Sequence, residues 1–170
     1  MTVLPPSRMS RADFVARFGG VFEHSAWIAE QAFDAGLTAA NDTAEGLHAA
    51  LTAKMRASGE AERLALIRAH PDLAGKLAQA GRLTPESTGE QASAGLNMLT
   101  DAERDDFTRL NEAYTAKFGF PFIIAVKGRT KAEIRSAFET RVGNDAATEF
   151  ATALEQVERI ALLRLKDLLP

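Results

Sequence analysis

Threonine-to-glutamate pairs punctuate this chain: Thr100 with Glu103 and Thr130 with Glu133 each set a hydroxyl three positions before a carboxylate. That spacing satisfies two of the N–H groups a helix start leaves open, so each pair marks a helix rather than a strand. The runs that follow keep the helical period. Phe107, Leu110, Tyr114 and Phe118 fall in line before a stop at Gly119, and Ile134, Phe138 and Val142 form the face of the next run. A chain written this way has few places left for a sheet.

The rest of the sequence agrees. Ser10 caps a run in which Phe14 and Phe18 share a face and Gly19-Gly20 ends the turn. A second run carries Trp27 and Phe33. Asp42 and Glu45 have capping-box spacing ahead of Leu47, Leu51 and Met55, and Gly59 stops that helix. A fourth helix is expected over about 58–70, and Pro71 is expected to start a fifth, with Leu73, Leu77 and Ala78 on its apolar face. "TPESTGEQASAGLNML" offers two starts, Thr84-Pro85 and Ser87, the second with Glu90 at box spacing. The last helix is expected over roughly 145–169. One stretch breaks the period: "FPFIIAV", near 120–126, is too short for a helix and holds a proline unsuited to a central strand. It reads as a buried extended segment. The expectation is an all-α chain of about eight helices, one domain over 1–170.

A net charge of -3, with both signs interspersed, leaves no electrostatic footprint for nucleic acid or an anionic membrane. Small molecules or protein partners fit better. The absence of cysteine excludes disulfides, thiolate metal sites and cysteine nucleophiles. "MTVLPPSRMS" lacks the apolar core of a signal peptide, no apolar run approaches membrane-spanning length, and "KDLLP" is not a peroxisomal signal. These features point to a cytoplasmic chain. Dinucleotide, phosphate-loop, zinc-protease and serine-hydrolase motifs are missing, and His24, His48 and His70 have no metal-ligand spacing. No cofactor or metal is expected.

Four places carry polar groups that a core would not choose. His70, directly before Pro71, reads as a cap of the following helix, where the dipole would keep its ring neutral and ready to exchange a proton; a cap without chemistry is the alternative. Ser87, Glu90 and Gln91 bring a hydroxyl, a carboxylate and an amide to one helix start. Capping explains the first two but not Gln91. Arg164 falls on the apolar stripe of Phe150, Leu154, Val157 and Ala161, so it needs either a protein acid or an anionic ligand. Phe120, Pro121, Phe122 and Ile123 lie in the irregular segment, whose main-chain groups must be met internally or by a ligand with amide-like edges.

Together, "HPDLAGK", "STGEQASAGL", "FGFPFIIAVKG" and "ALEQVERIALLRLKDLL", with the opening "FVARFGGVFEHSAWIAEQA", resemble blocks of the OHCU decarboxylase family in order and spacing. OHCU is 2-oxo-4-hydroxy-4-carboxy-5-ureidoimidazoline, an anionic intermediate of uric acid degradation. The resemblance implies an all-α homodimer that releases CO₂ from OHCU to give (S)-allantoin without a cofactor. It makes His70 the catalytic residue with Pro71 beside it, and Ser87, Glu90 and Gln91 substrate contacts, Glu90 being important for catalysis. It gives Arg164 to the anion and lets Phe120 to Ile123 line the pocket through main-chain groups. Two other expectations stand beside it: a helical interaction module with structural His70 and Arg164, and a sister lyase or hydrolase acting on another ureido or purine-derived ring.

Overall fold

The computed structural model describes residues 3–169, the side chains of Lys76 and Leu77 excepted, so the expected apolar role of Leu77 lies outside the described residues. The helices are α1 Arg11–Phe18, α2 Trp27–Asp34, α3 Ala44–Ala57, α4 Glu60–Ala69, α5 Lys76–Gln79, α6 Pro85–Ser93, α7 Asp101–Phe118, α8 Lys131–Val142 and α9 Ala146–Leu168. Among the described residues eight helices remain once α5, a single turn, is set aside, against about eight expected. Among the described residues there is no strand, and the fold is all-α.

Most helix starts are those the sequence marks. Ser10 Oγ accepts from the Asp13 N–H at 3.2 Å. Both boxes close in both directions: the Glu103 N–H donates to Thr100 Oγ1, and the Glu133 N–H to Thr130 Oγ1. Gly119 ends α7 at φ 76°, a left-handed conformation that glycine adopts without steric cost.

Three local expectations are corrected. The cap of α3 is Thr43 rather than Asp42, because both Asp42 carboxylate oxygens are taken by Ser7, whose N–H and hydroxyl donate at 2.8 and 2.9 Å. On α8 the buried position is Arg141, with Val142 only half-buried. Pro71 starts no helix: residues 71–75 are irregular, and Ala74 sits at φ 51°. Tertiary bonds override the local preference there. Gln91 Oε1 accepts from the Ala74 N–H at 2.9 Å, and Asn111 Nδ2 donates to the Leu73 carbonyl at 2.9 Å.

The residues group into two compact units, one comprising those up to Ala69 and from Val157 onward, the other His70–Gln156. In the first, α1 packs on α2 and α2 on α3. Its core holds Phe14, 5.0 Å from Phe18 and 5.3 Å from Phe33 between ring centroids, with Leu47, Leu51 and Met55 of α3 fully buried. In the second, α7 packs on α8 around an aromatic cluster. Phe122 stacks on Phe138 at 3.9 Å, and Tyr114 meets Phe118, Phe120, Phe122 and Phe138 at 4.5 to 6.0 Å. Each fully buried phenylalanine contributes about 1.5–3 kcal/mol, with a further increment from edge-to-face geometry. That cluster fixes where the segment after α7 must run.

Candidate active site

His70 is buried, 8% exposed, and follows the last residue of α4. It therefore stands at a helix carboxyl end and not at the amino end of the next helix. The cap position expected for it is not realised, since the next helix begins only at Lys76. Pro71 explains the break, since the residue before a proline is pushed out of the helical region and proline offers no N–H to extend α4.

Of the two starts offered for α6, the structure uses Thr84-Pro85: Thr84 Oγ1 accepts from the Ser87 N–H at 3.2 Å, and Pro85 takes the first turn. Ser87 therefore lies inside the first turn of α6 and is not its cap, and neither is Gln91. One helical turn apart, the two share a face, and both are buried, at 4% and 6% exposed. Glu90 is half-buried beside them. Gln91 spends both ends of its amide on the chain just beyond His70-Pro71: Oε1 accepts from Ala74, and Nε2 donates to the Asp72 carbonyl at 3.3 Å. This clasp seats the polar face of α6 against the loop that follows the histidine. It also borders a cavity of about 530 Å³ shared with Ala74, Gln79, Thr88, Leu96 and Arg104.

Phe120, Phe122 and Ile123 are buried and Pro121 is half-buried, in a run that is neither helix nor strand. The Ile123 carbonyl accepts from Arg141 Nη1 at 2.6 Å, the Ala125 N–H donates to Gln156 Oε1 at 2.9 Å, and the Ala125 carbonyl accepts from Arg129 Nε at 3.1 Å. His70, Ser87, Glu90, Gln91 and 120–123 all belong to the His70–Gln156 unit.

Arg164 belongs to the other unit and is 6% exposed. Its Nη2 lies 2.8 Å from Glu23 Oε2, and Nη1 donates to the carbonyls of Gly20 and Val21 at 3.2 and 3.4 Å. The stripe correctly marked it as a buried charge, and a protein acid answers it.

Several polar groups escaped the sequence reading. Asp72 is half-buried, and desolvation pushes its carboxyl above the usual carboxylate range. Asn111 is buried with Oδ1 unpartnered among the described residues. Both line a cavity of about 430 Å³ with Gly75, Gln79, Thr108 and Thr115. Arg141 and Glu149 form a buried ion pair at 2.9 Å. A signal for Arg141 existed: it follows Ile134 and Phe138 by steps of four and three, the rule that singled out Arg164.

Compared with known proteins, residues 7–166 match the family model described as OHCU decarboxylase. The chain is 38% identical over 167 residues to the 2-oxo-4-hydroxy-4-carboxy-5-ureidoimidazoline decarboxylase of Haloferax volcanii, covering 98% of this chain and 95% of that one. It is 38% identical to a uric acid degradation bifunctional protein of Bacillus subtilis over 96% of this chain but 32% of the longer protein. Among solved structures, (S)-allantoin synthase superposes with a TM-score of 0.74 at 34% identity, over 96% of this chain and 52% of that one. OHCU decarboxylase crystallised in the presence of (S)-allantoin superposes with a TM-score of 0.68 at 26% identity, over 88% and 94%.

Proposed function

Since this chain belongs to the OHCU decarboxylase family, we propose that it decarboxylates OHCU to (S)-allantoin in uric acid degradation. The observation that carries the site assignment is the Gln91 clasp, which brings the Ser87, Glu90 and Gln91 face of α6 to the loop beyond His70-Pro71.

The substrate supplies its own electron sink. Its carboxylate hangs on a ring carbon beside a C=N bond, so the electron pair left by departing CO₂ moves into that bond. An enol forms, the ring nitrogen taking a proton. The hydroxyl must then lose its proton while the neighbouring carbon gains one on a single face. In this reading His70 carries that proton as general acid or base. Glu90 holds the hydroxyl, Ser87 and Gln91 orient the ring with Pro71 beside them, and Phe120, Pro121, Phe122 and Ile123 meet the ureido edge with main-chain groups. Arg164 keeps the anion-holding role on the strength of its place in the family's closing block. No metal or organic cofactor has a step to perform.

The span 1–170 is read as one functional domain, supported by a family match that runs across both units. A homodimer follows from the resemblance, to be checked by sedimentation. Among the described residues no helix is long and apolar enough to cross a membrane. A cytoplasmic location is proposed, in keeping with a chain that carries no cysteine.

The test is turnover of freshly generated OHCU, followed by circular dichroism so that rate and handedness are read together. His70→Gln is expected to fold and to lose roughly 10²–10⁴-fold in kcat, the usual range for a general acid or base. A folded variant with wild-type turnover would remove His70 from the chemistry. The buried Glu23–Arg164 pair is the one observation leaning toward the interaction-module alternative. A wild-type protein inert toward OHCU would leave that reading standing.

A further inference from the structure

Arg141, Glu149 and Tyr114 form a buried cluster that the proposed reaction does not use. Arg141 Nε donates to Glu149 Oε1 at 2.9 Å, and the Tyr114 hydroxyl donates to the same oxygen at 2.6 Å. Asn144 Nδ2 donates to the other oxygen, Oε2, at 3.0 Å. Arg141 then reaches out of the cluster: Nη1 donates to the Ile123 carbonyl at 2.6 Å, and the guanidinium carbon lies 4.4 Å from the centroid of the Phe122 ring. Side chains from α7 and α8, tied together by Glu149 of α9, thus converge on two successive residues of the irregular segment.

A segment without a neighbouring strand has no ladder to set its register. What grips its carbonyls decides which way the adjacent peptide groups face. Stability alone does not require a charge for that purpose, since well-packed apolar residues often serve a core as well as or better than a buried ion pair. Nor is the fork fully spent on packing, for Arg141 Nη2 is buried and unpartnered among the described residues. A guanidinium does have what an apolar side chain lacks: rigid, directional donors, here locked by Glu149 at one edge and aimed at a peptide group by another.

We infer that Arg141, oriented by Glu149 and Tyr114, is a positioning residue: it fixes the Ile123–Ile124 peptide so that the segment's main-chain groups meet the substrate in one orientation. This rests on the pocket role proposed for 120–123. It is tested with Arg141→Lys, which keeps the charge but not the fork, against Asn144→Ala, which removes only the bond to the Glu149 oxygen that Arg141 does not use. Arg141→Lys is expected to raise KM roughly 10- to 100-fold, the scale of a misplaced substrate contact, with a smaller change in kcat. It is also expected to lower the enantiomeric purity of the allantoin formed and to speed hydrogen exchange at the 122–124 amides. Asn144→Ala should leave all three at wild-type values. Unchanged KM and handedness in Arg141→Lys, or equal shifts in Asn144→Ala, would overturn the inference. If Arg141→Lys does not fold, Tyr114→Phe takes its place, with a smaller shift of KM in the same direction expected and no shift counting against. Should the wild-type protein not turn over OHCU, the proposed function fails separately. Exchange at 122–124 then still decides whether Arg141 sets the segment.

Discussion

Each of the two units buries an arginine against a glutamate, and the two pairs are built for different surroundings. Arg164 and Glu23 are 6% and 1% exposed; Arg141 and Glu149 are 11% and 0%. Arg164 directs Nη1 at the Gly20 and Val21 carbonyls, in the turn that leads from α1 to α2. Arg141 spends one on the Ile123 carbonyl, and its acid is further held by Tyr114 and Asn144. Near-equal burial therefore goes with unequal connections. A buried charge signals that something is being held, and its partners tell what.

The comparison breaks most readily at the level of stability. Glu149→Leu and Glu23→Leu each strand a buried guanidinium, and each is expected to cost about 3–5 kcal/mol in urea unfolding. A cost below about 1 kcal/mol for either would mean that its arginine finds other company and that the pairs are not equivalent. Next in size is a kinetic contrast. Arg164→Lys keeps a cation beside Glu23 but loses the planar fork, and KM for OHCU is expected to rise about tenfold, a change of about 1.4 kcal/mol in binding. Wild-type kinetics would reduce Arg164 to a structural partner of Glu23 and leave the substrate anion to other groups.

The smallest effect is a slope with pH at the Arg141–Glu149 pair, through Tyr114. Burial, then the hydrogen bond and charge of Glu149, push the Tyr114 phenol well above its ordinary value. The unfolded chain releases that proton near pH 10, while the folded chain holds it to higher pH. This contribution to stability is complete below about pH 10 and is lost as pH climbs toward the folded value. Tyr114→Phe should flatten the fall in urea midpoint between about pH 9 and pH 11 relative to wild type. Equal slopes would place the phenol in a wetter setting than the structure gives it.

What the sequence could and could not disclose follows from the range of the forces involved. Capping boxes at Thr100 and Thr130 and the stop at Gly119 act within one turn, and they were legible. The cap of α3 was misread because Ser7, 35 positions away, claims Asp42. The helix expected at Pro71 gave way to Gln91 and Asn111, which bond to the chain at 72–74 from other helices. Within the site, Gln91 stood out because capping could not explain it, and its amide proves to be the clasp on that loop. Arg141 was missed for want of length: α8 shows only two apolar positions before it, whereas α9 gave Arg164 a long stripe to interrupt.

One feature of the composition acquires a use from where the fold puts it. The chain has a single tryptophan and a single tyrosine. Trp27, half-buried on α2, falls in one unit, and Tyr114, fully buried on α7, falls in the other. Each unit thus carries its own native chromophore. Indole emission and phenol absorbance, recorded on one unlabelled sample during a melt, report the two units independently, and coincidence of the two curves is a direct measure of their cooperativity.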